Sequence, residues 1–338
     1  MSAAQQALKM CAQTVIPSLF PFFVLSGLLI HTGFIQVAGA VISPIIRPLL
    51  RVSGSGALAF VIGIVSGYPT GAKMIADLYR KKLIDRTEAR RLLPFCNNSG
   101  PLFIIGAVGS GMLGSVKVGI FLYLVHFLAA LLVGLCFRFY GVGTISKSVS
   151  VKSAVGSKLR EYYQSQRSGL AISESVSSAV NTTLLICGFI VLFSAFTSCL
   201  EPMLTLIKSE TIQLFLKGFF EVTAGVKNLC TSPLLLSQKL IIISALMGFG
   251  GICVHFQVVG MLSGTDLGLK TYLIGKLLHT VFAAMICAFL FHFLPTDSVT
   301  AWNPGGVAEE NSISLWQIVL SGMAVTFFLA KQLSRRLK

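Results

Sequence analysis

Apolar stretches about as long as a bilayer crossing recur along the whole chain, and two of them are broken in the middle by glycine and proline. Each break is polar. One reads Gly67-Tyr68-Pro69-Thr70-Gly71-Ala72-Lys73 and the other Asn97-Asn98-Ser99-Gly100-Pro101. Hydrocarbon tolerates non-helical backbone only where protein or a water-filled cavity surrounds it, so broken helices carrying a lysine point to a transport site. Hydrophobic residues make up 54% of the chain and charged ones 12%, about half the charged share of a soluble domain. That excludes a soluble globular protein. The net charge of +15 does not call for nucleic acid, because the basic residues cluster between apolar spans, as cytoplasmic loops do. The expected surroundings are a lipid bilayer.

The apolar segments lie near 14–36, 56–79, 92–115, 118–140, 176–200, 211–226, 234–262, 271–294 and 313–330. The first contains Pro17 and Pro21 and exceeds the roughly 7–15 apolar residues of a secretory signal, so the small-residue pattern Ala38-Gly39-Ala40 is not expected to mark cleavage. The eight cysteines are scattered singly and the five histidines are dispersed, which gives no metal centre and no cofactor. No Ser/His/Asp, Cys/His or HExxH arrangement suggests an enzyme.

Basic residues gather at Arg80-Lys81-Lys82 with Arg86, Arg90 and Arg91, at Lys147 to Arg167, and in a tail from Lys331 to Lys338. Placing all three in the cytoplasm makes the segment 56–79 a re-entrant hairpin and puts a second hairpin, about 211–246, on the outside with Glu309 and Glu310. Each half then has an odd number of crossings, so the halves are inverted. The first repeat spans 1–140, with an interrupted helix about 92–115; a basic cytoplasmic loop covers 141–175. The second repeat spans 176–294, with an interrupted helix about 247–262, and 295–338 holds a last helix and tail. Gly71 and Gly225, Lys73 and Lys227, and Gly106 and Gly260 share an offset of 154 residues. The fold class is an all-α polytopic membrane protein with an inverted repeat, two re-entrant helical hairpins and two interrupted helices.

Substrate sites in such carriers form where discontinuous helices meet. The candidates are Tyr68, Thr70 and Lys73 in the first hairpin, Asn97, Asn98 and Ser99 in the first interruption, and Glu221, Thr223 and Lys227 in the second hairpin. His255 and Gln257 follow the second interruption. Two lysines at matching positions favour an anionic substrate. Plainer roles compete: Lys73 snorkelling to the interface, the amides tying helices together, Glu221 neutralising Lys227 or carrying a coupling proton, and His255 packed as a core residue. A homo-oligomer and coupling to a proton or to sodium are open alternatives at this point.

The run Ser66 to Lys73, the following Ala76-Asp77-Leu78-Tyr79-Arg80-Lys81, and Phe95-Cys96-Asn97-Asn98-Ser99-Gly100-Pro101-Leu102-Phe103-Ile104 resemble the YlbJ-type (SpoVV) sporulation integral membrane proteins, which carry nucleoside-recognition, or Gate, domains. The resemblance implies a fold similar to that of the concentrative nucleoside transporters. It also implies a role in endospore formation, moving dipicolinate across the outer forespore membrane. Lys73 and Lys227 are then expected to face the two carboxylates of dipicolinate, with Asn97, Asn98, Ser99 or Gln257 bonding its edges. The acidic and amide cluster that nucleoside transporters place in both hairpins is represented here by Glu221 alone, which argues against a nucleoside. A non-transporting membrane scaffold for spore maturation is the alternative from another class.

Overall fold

The computed structural model describes residues 2–31, 34–141 and 168–293 of the chain. The segment 313–330, the basic tail, the residues from Lys147 to Arg167, and Glu309 and Glu310 lie outside the described residues. Among those described, all regular structure is helical. Four helices are long and apolar enough to cross a membrane, and a fifth span results if one bent pair is counted as a single crossing.

The N-terminal part runs from α1 (Ser2–Met10) through a π-helical turn into α2 (Ile16–His31) and then α3 (Phe34–Leu50). Helix α3 meets α4 (Gly54–Ser66) at a bend of 88°. The corner is fixed from both sides. The Ser53 hydroxyl caps α4 by accepting from the Gly56 amide at 3.2 Å, while the buried Arg91 guanidinium donates to the Arg51 and Tyr140 carbonyls.

Helix α4 and α5 (Thr70–Arg80) form the first hairpin. Helix α6 (Arg86–Cys96) and a π-helical stretch, Leu102–Met112, form the interrupted helix that follows, and α7 (Val116–Phe137) crosses as a span. The order then recurs. Helix α8 (Ser168–Leu204) precedes a hairpin of α9 (Glu210–Phe220) and α10 (Val222–Thr231), an interrupted helix of α11 (Leu236–Phe249) and α12 (Gly251–Leu262), and the span α13 (Lys270–Leu290).

The second hairpin is shorter than the sequence suggested. It ends at Thr231, and the interrupted helix begins at Leu236 rather than near 247. Pro233 cannot continue α10, and Gly250, at φ 92°, supplies the left-handed residue that ends α11.

Each hairpin tip docks on the break of the interrupted helix that follows it. A Cβ at Gly67 would come within 2.8 Å of the Gly100 nitrogen, and one at Gly251 within 3.2 Å of the Val222 nitrogen. Below the first tip, Gly63 and Gly71 close on the Cys96 carbonyl so tightly that a Cβ on either would overlap it. The buried apolar residues form three clusters. One cluster joins α4, α5, α6 and α7 to Val258, Met261 and Tyr272, and a second joins the π-helical stretch and α7 to α10, α11 and α13. Helices α1, α2 and α8 form a third cluster, reaching α12 at Cys253.

Large apolar side chains cover the outside. Val116, Ile120 and Leu124 on α7 and Leu184, Leu192 and Phe196 on α8 are all exposed, which is the surface lipid requires and water does not. With its 37 residues α8 is about 55 Å long at the helical rise, more than the hydrocarbon thickness, so it extends past the bilayer core.

Candidate functional site

Helix α5 carries Lys73, Asp77 and Arg80 at spacings of four and three, which put them on one face. The Lys73 ammonium donates to Asp77 Oδ2 at 2.7 Å and to the Ser178 hydroxyl at 3.0 Å. Arg80 donates to Asp77 Oδ1 at 3.0 Å and to the carbonyls of Met261 and Ser263 at 2.9 and 2.7 Å, joining the hairpin to the end of α12. Two cations therefore share one carboxylate.

This face lines a cavity of about 630 Å³ between α5, α8 and the end of α12. Opposite Lys73 stand Ser173, Glu174, Ser177, Ser178, Asn181 and Thr182, spaced so that they form one polar stripe on α8. The volume is in the range of small-molecule sites, and the lining offers charged groups at one wall and hydroxyl and amide groups, with the Glu174 carboxylate, at the other.

A second polar centre lies at the break between α6 and the π-helical stretch. Asn97, Asn98 and Ser99 are all buried, and the break leaves their backbone without helical partners. Side chains from two other helices supply what is missing. Lys276 of α13, with no exposed surface, donates to the Asn97 carbonyl at 2.9 Å. The Ser99 amide donates to His126 Nε2 of α7 at 3.0 Å, and His279 Nε2 meets the His126 carbonyl at 3.2 Å. The two imidazoles lie 4.4 Å apart, centre to centre. Asn98 Nδ2 closes on the Phe95 carbonyl at 2.6 Å. An ammonium at the C-terminus of α6 also meets the negative end of that helix dipole. Asn97 Oδ1, Asn98 Oδ1, His126 Nδ1 and His279 Nδ1 have no hydrogen-bond partner among the described residues.

The other residues singled out from the sequence are divided between these centres and the surface. Tyr68 packs at the first hairpin tip and Thr70 is fully buried beside it. Glu221 is buried and caps α10, accepting from the amides of Thr223 at 3.0 Å and Ala224 at 2.7 Å. Its carboxylate is thus engaged by a helix N-terminus rather than by Lys227, which is exposed on α10. His255 Nδ1 is 2.9 Å from the Tyr272 hydroxyl, and Tyr272 in turn is 3.4 Å from Asn97 Nδ2. Gln257 is buried and donates to the Cys253 sulfur at 3.4 Å. Lys73 and Lys227 do not face a common pocket, so the paired-lysine arrangement expected from the offset is replaced by Lys73 with Arg80 on one helix and by Lys276 deeper in the fold.

Lys276, His126 and His279 escaped the sequence reading, as did the polar stripe of α8. The signal for Lys276 was present: it is a lone charged residue inside the apolar run 271–294. The stripe was legible too, as Ser, Asn and Thr recurring at helical spacing from Ser173 to Thr182.

Fold and site together define an all-helical polytopic integral membrane protein with polar groups gathered at helix breaks. The chain is 37% identical over 325 residues to the sporulation integral membrane protein YlbJ of Bacillus subtilis (strain 168), a match that covers 89% of this chain and 79% of that protein. It belongs to the YlbJ-type family of sporulation integral membrane proteins. No family model matches it, and no solved structure does.

Proposed function

We propose that the protein is a carrier for a small organic anion, and that this anion is dipicolinate, moved across the outer forespore membrane during endospore formation. The observation that carries the proposal is the shared Asp77: Lys73 and Arg80 both spend charge on one carboxylate at the wall of a 630 Å³ cavity. A substrate carboxylate entering there exchanges for Asp77 without leaving a buried ammonium unpaired. Arg80 offers the planar fork suited to a carboxylate, Lys73 a point charge, and the α8 stripe hydroxyl and amide partners for a ring edge. The site is assigned binding and passage, with no catalytic step and no cofactor.

Transport also needs a way to expose the site to either side, and an inverted repeat supplies one by rocking one half against the other. Helices α7 and α13 begin 154 residues apart, α4 and α9 end 154 residues apart, and this is the offset at which Gly71 matches Gly225. The correspondence of helix boundaries supports two copies of one unit.

The test is uptake of labelled dipicolinate by proteoliposomes containing the purified full chain. Saturable uptake above protein-free liposomes is expected, with no competition from excess uridine. Uptake blocked by uridine would make the substrate a nucleoside, and no uptake of either would leave the membrane scaffold.

A further inference from the structure

The buried centre around Lys276 has features that substrate binding in the cavity does not require. Lys276 has no exposed surface, and among the described residues no carboxylate pairs with it or acts on it; its recorded hydrogen bond goes to the neutral Asn97 carbonyl. A permanent charge in that setting is costly, so it must be shared, neutralised or given up. Its surroundings contain bases rather than acids. His126 of α7 holds the Ser99 amide two residues from the Asn97 carbonyl that Lys276 grips, His279 follows three residues later on α13, and His255 of α12 bonds Tyr272, one turn earlier on α13. From α6 it meets the Asn97 carbonyl, while Lys239 on α11 turns instead to the Cys230 carbonyl at 3.1 Å. His126 accepts from Ser99 through Nε2, so a neutral ring carries its proton on the unpartnered Nδ1; the bond from His279 Nε2 to the His126 carbonyl leaves His279 Nδ1 with a free lone pair. A proton, unlike an anion, needs no cavity to occupy such a place.

We propose that Lys276 is the proton-coupling group of the carrier, taking up a proton with the anion and releasing it when the anion leaves, with the His126 and His279 rings as its neighbours in the exchange. The inference rests on the transport reading. The step balances: the neutral amine takes a proton from hydronium to give ammonium and water, and the reverse returns it to water on the other side. The structure joins this centre to the cavity by an unbroken line of contact. Lys276 holds the Asn97 carbonyl, the adjacent Cys96 carbonyl is clamped by Gly71, and Lys73 lies two residues beyond Gly71 on α5. Gain or loss of charge at Lys276 changes the grip on the C-terminus of α6, and the close packing of α5 on that terminus passes the change to Lys73.

The experiment measures dipicolinate uptake with and without an imposed proton gradient, in wild type, Lys276→Met and Lys276→Arg, with folding checked by size-exclusion chromatography. The gradient is expected to stimulate wild-type uptake several-fold, and the stimulation ratio is expected to fall to unity in both variants. Wild-type uptake that ignores the gradient overturns the coupling while leaving the carrier intact, and stimulation that survives in either folded variant overturns the role of Lys276. Should wild type take up no dipicolinate, the transport reading fails separately. The proton site is then decided by thermal unfolding of wild type and the better-folded variant between about pH 5.5 and 9. A difference in midpoint that varies with pH supports a titrating lysine, and a constant difference rules it out. If neither variant folds, pyranine trapped in wild-type liposomes decides: gradient-driven uptake accompanied by proton entry supports coupling, and absence of proton entry overturns it.

Discussion

The Tyr79 hydroxyl donates to Asp266 Oδ1 at 2.6 Å, joining the end of the first hairpin to the loop between α12 and α13 across 187 residues of sequence. Arg86 pairs with the same carboxylate at 3.0 Å, and Arg80 reaches the carbonyls of Met261 and Ser263 just before it. The two halves are thus fastened at one end by a small polar latch outside the apolar layer, where an opening motion would have to break it.

The latch gives a pH dependence whose sign follows from the carboxylate. The hydrogen bond from Tyr79, with help from Arg86 and Arg90, holds Asp266 below its usual carboxylate range. Its contribution is therefore full above about pH 4, the unfolded carboxylate value, and is lost as pH falls through the lower folded value. Thermal unfolding in detergent is expected to show a wild-type advantage over Asp266→Asn that holds at neutral pH and fades on acidification. An advantage that grew on acidification would contradict the assignment.

Lys73→Met is expected to reduce dipicolinate uptake by about tenfold or more, the equivalent of one lost charge-assisted contact. The loss should appear chiefly in apparent affinity, because Arg80 still faces the cavity. Wild-type affinity in this variant would remove Lys73 from the binding site.

Gly71→Ala places a methyl group against the Cys96 carbonyl, whereas Gly188 on α8 has nothing within 4 Å of an added Cβ. Overpacking of this kind costs about 1–3 kcal/mol. Differential scanning fluorimetry should show a lowered midpoint for Gly71→Ala and none for Gly188→Ala. Equal midpoints would mean that the hairpin does not press on the helix break.

An inverted repeat puts the ends of the two hairpins on opposite sides of the membrane. Lys81 and Thr231, both exposed, close the first and second hairpins. Single cysteines at these positions, in a background freed of the exposed Cys136 and Cys199, should react with a membrane-impermeant maleimide from opposite sides of oriented vesicles. Labelling from one side would show the halves to be parallel.

Much of this architecture was legible because a bilayer leaves few solutions: apolar runs of crossing length must be helical, and glycine with proline must break them. The first hairpin and the interruption from Asn97 to Pro101 could be read in that way, whereas the membership of a sporulation membrane family was legible from the resemblance of the motifs around them. The second hairpin was drawn too long because the first part of the apolar segment 234–262, up to the glycine break near 248–251, was assigned to it; the polar gap between 226 and 234, with Pro233, was the usable mark.

The sequence by itself determined that apolar helices of crossing length recur and where glycine and proline break the first hairpin and the helix after it, since both follow from local composition and backbone restriction. Only the tertiary structure decided which polar groups meet. Asn97 and Lys276 are 179 residues apart, and Lys73 and Ser178 are 105 apart, so their contacts depend on how helices from distant parts of the chain pack. The same physics explains Lys227. A lysine on a short helix is buried or exposed according to the face its neighbours cover, and here that face of α10 is left uncovered.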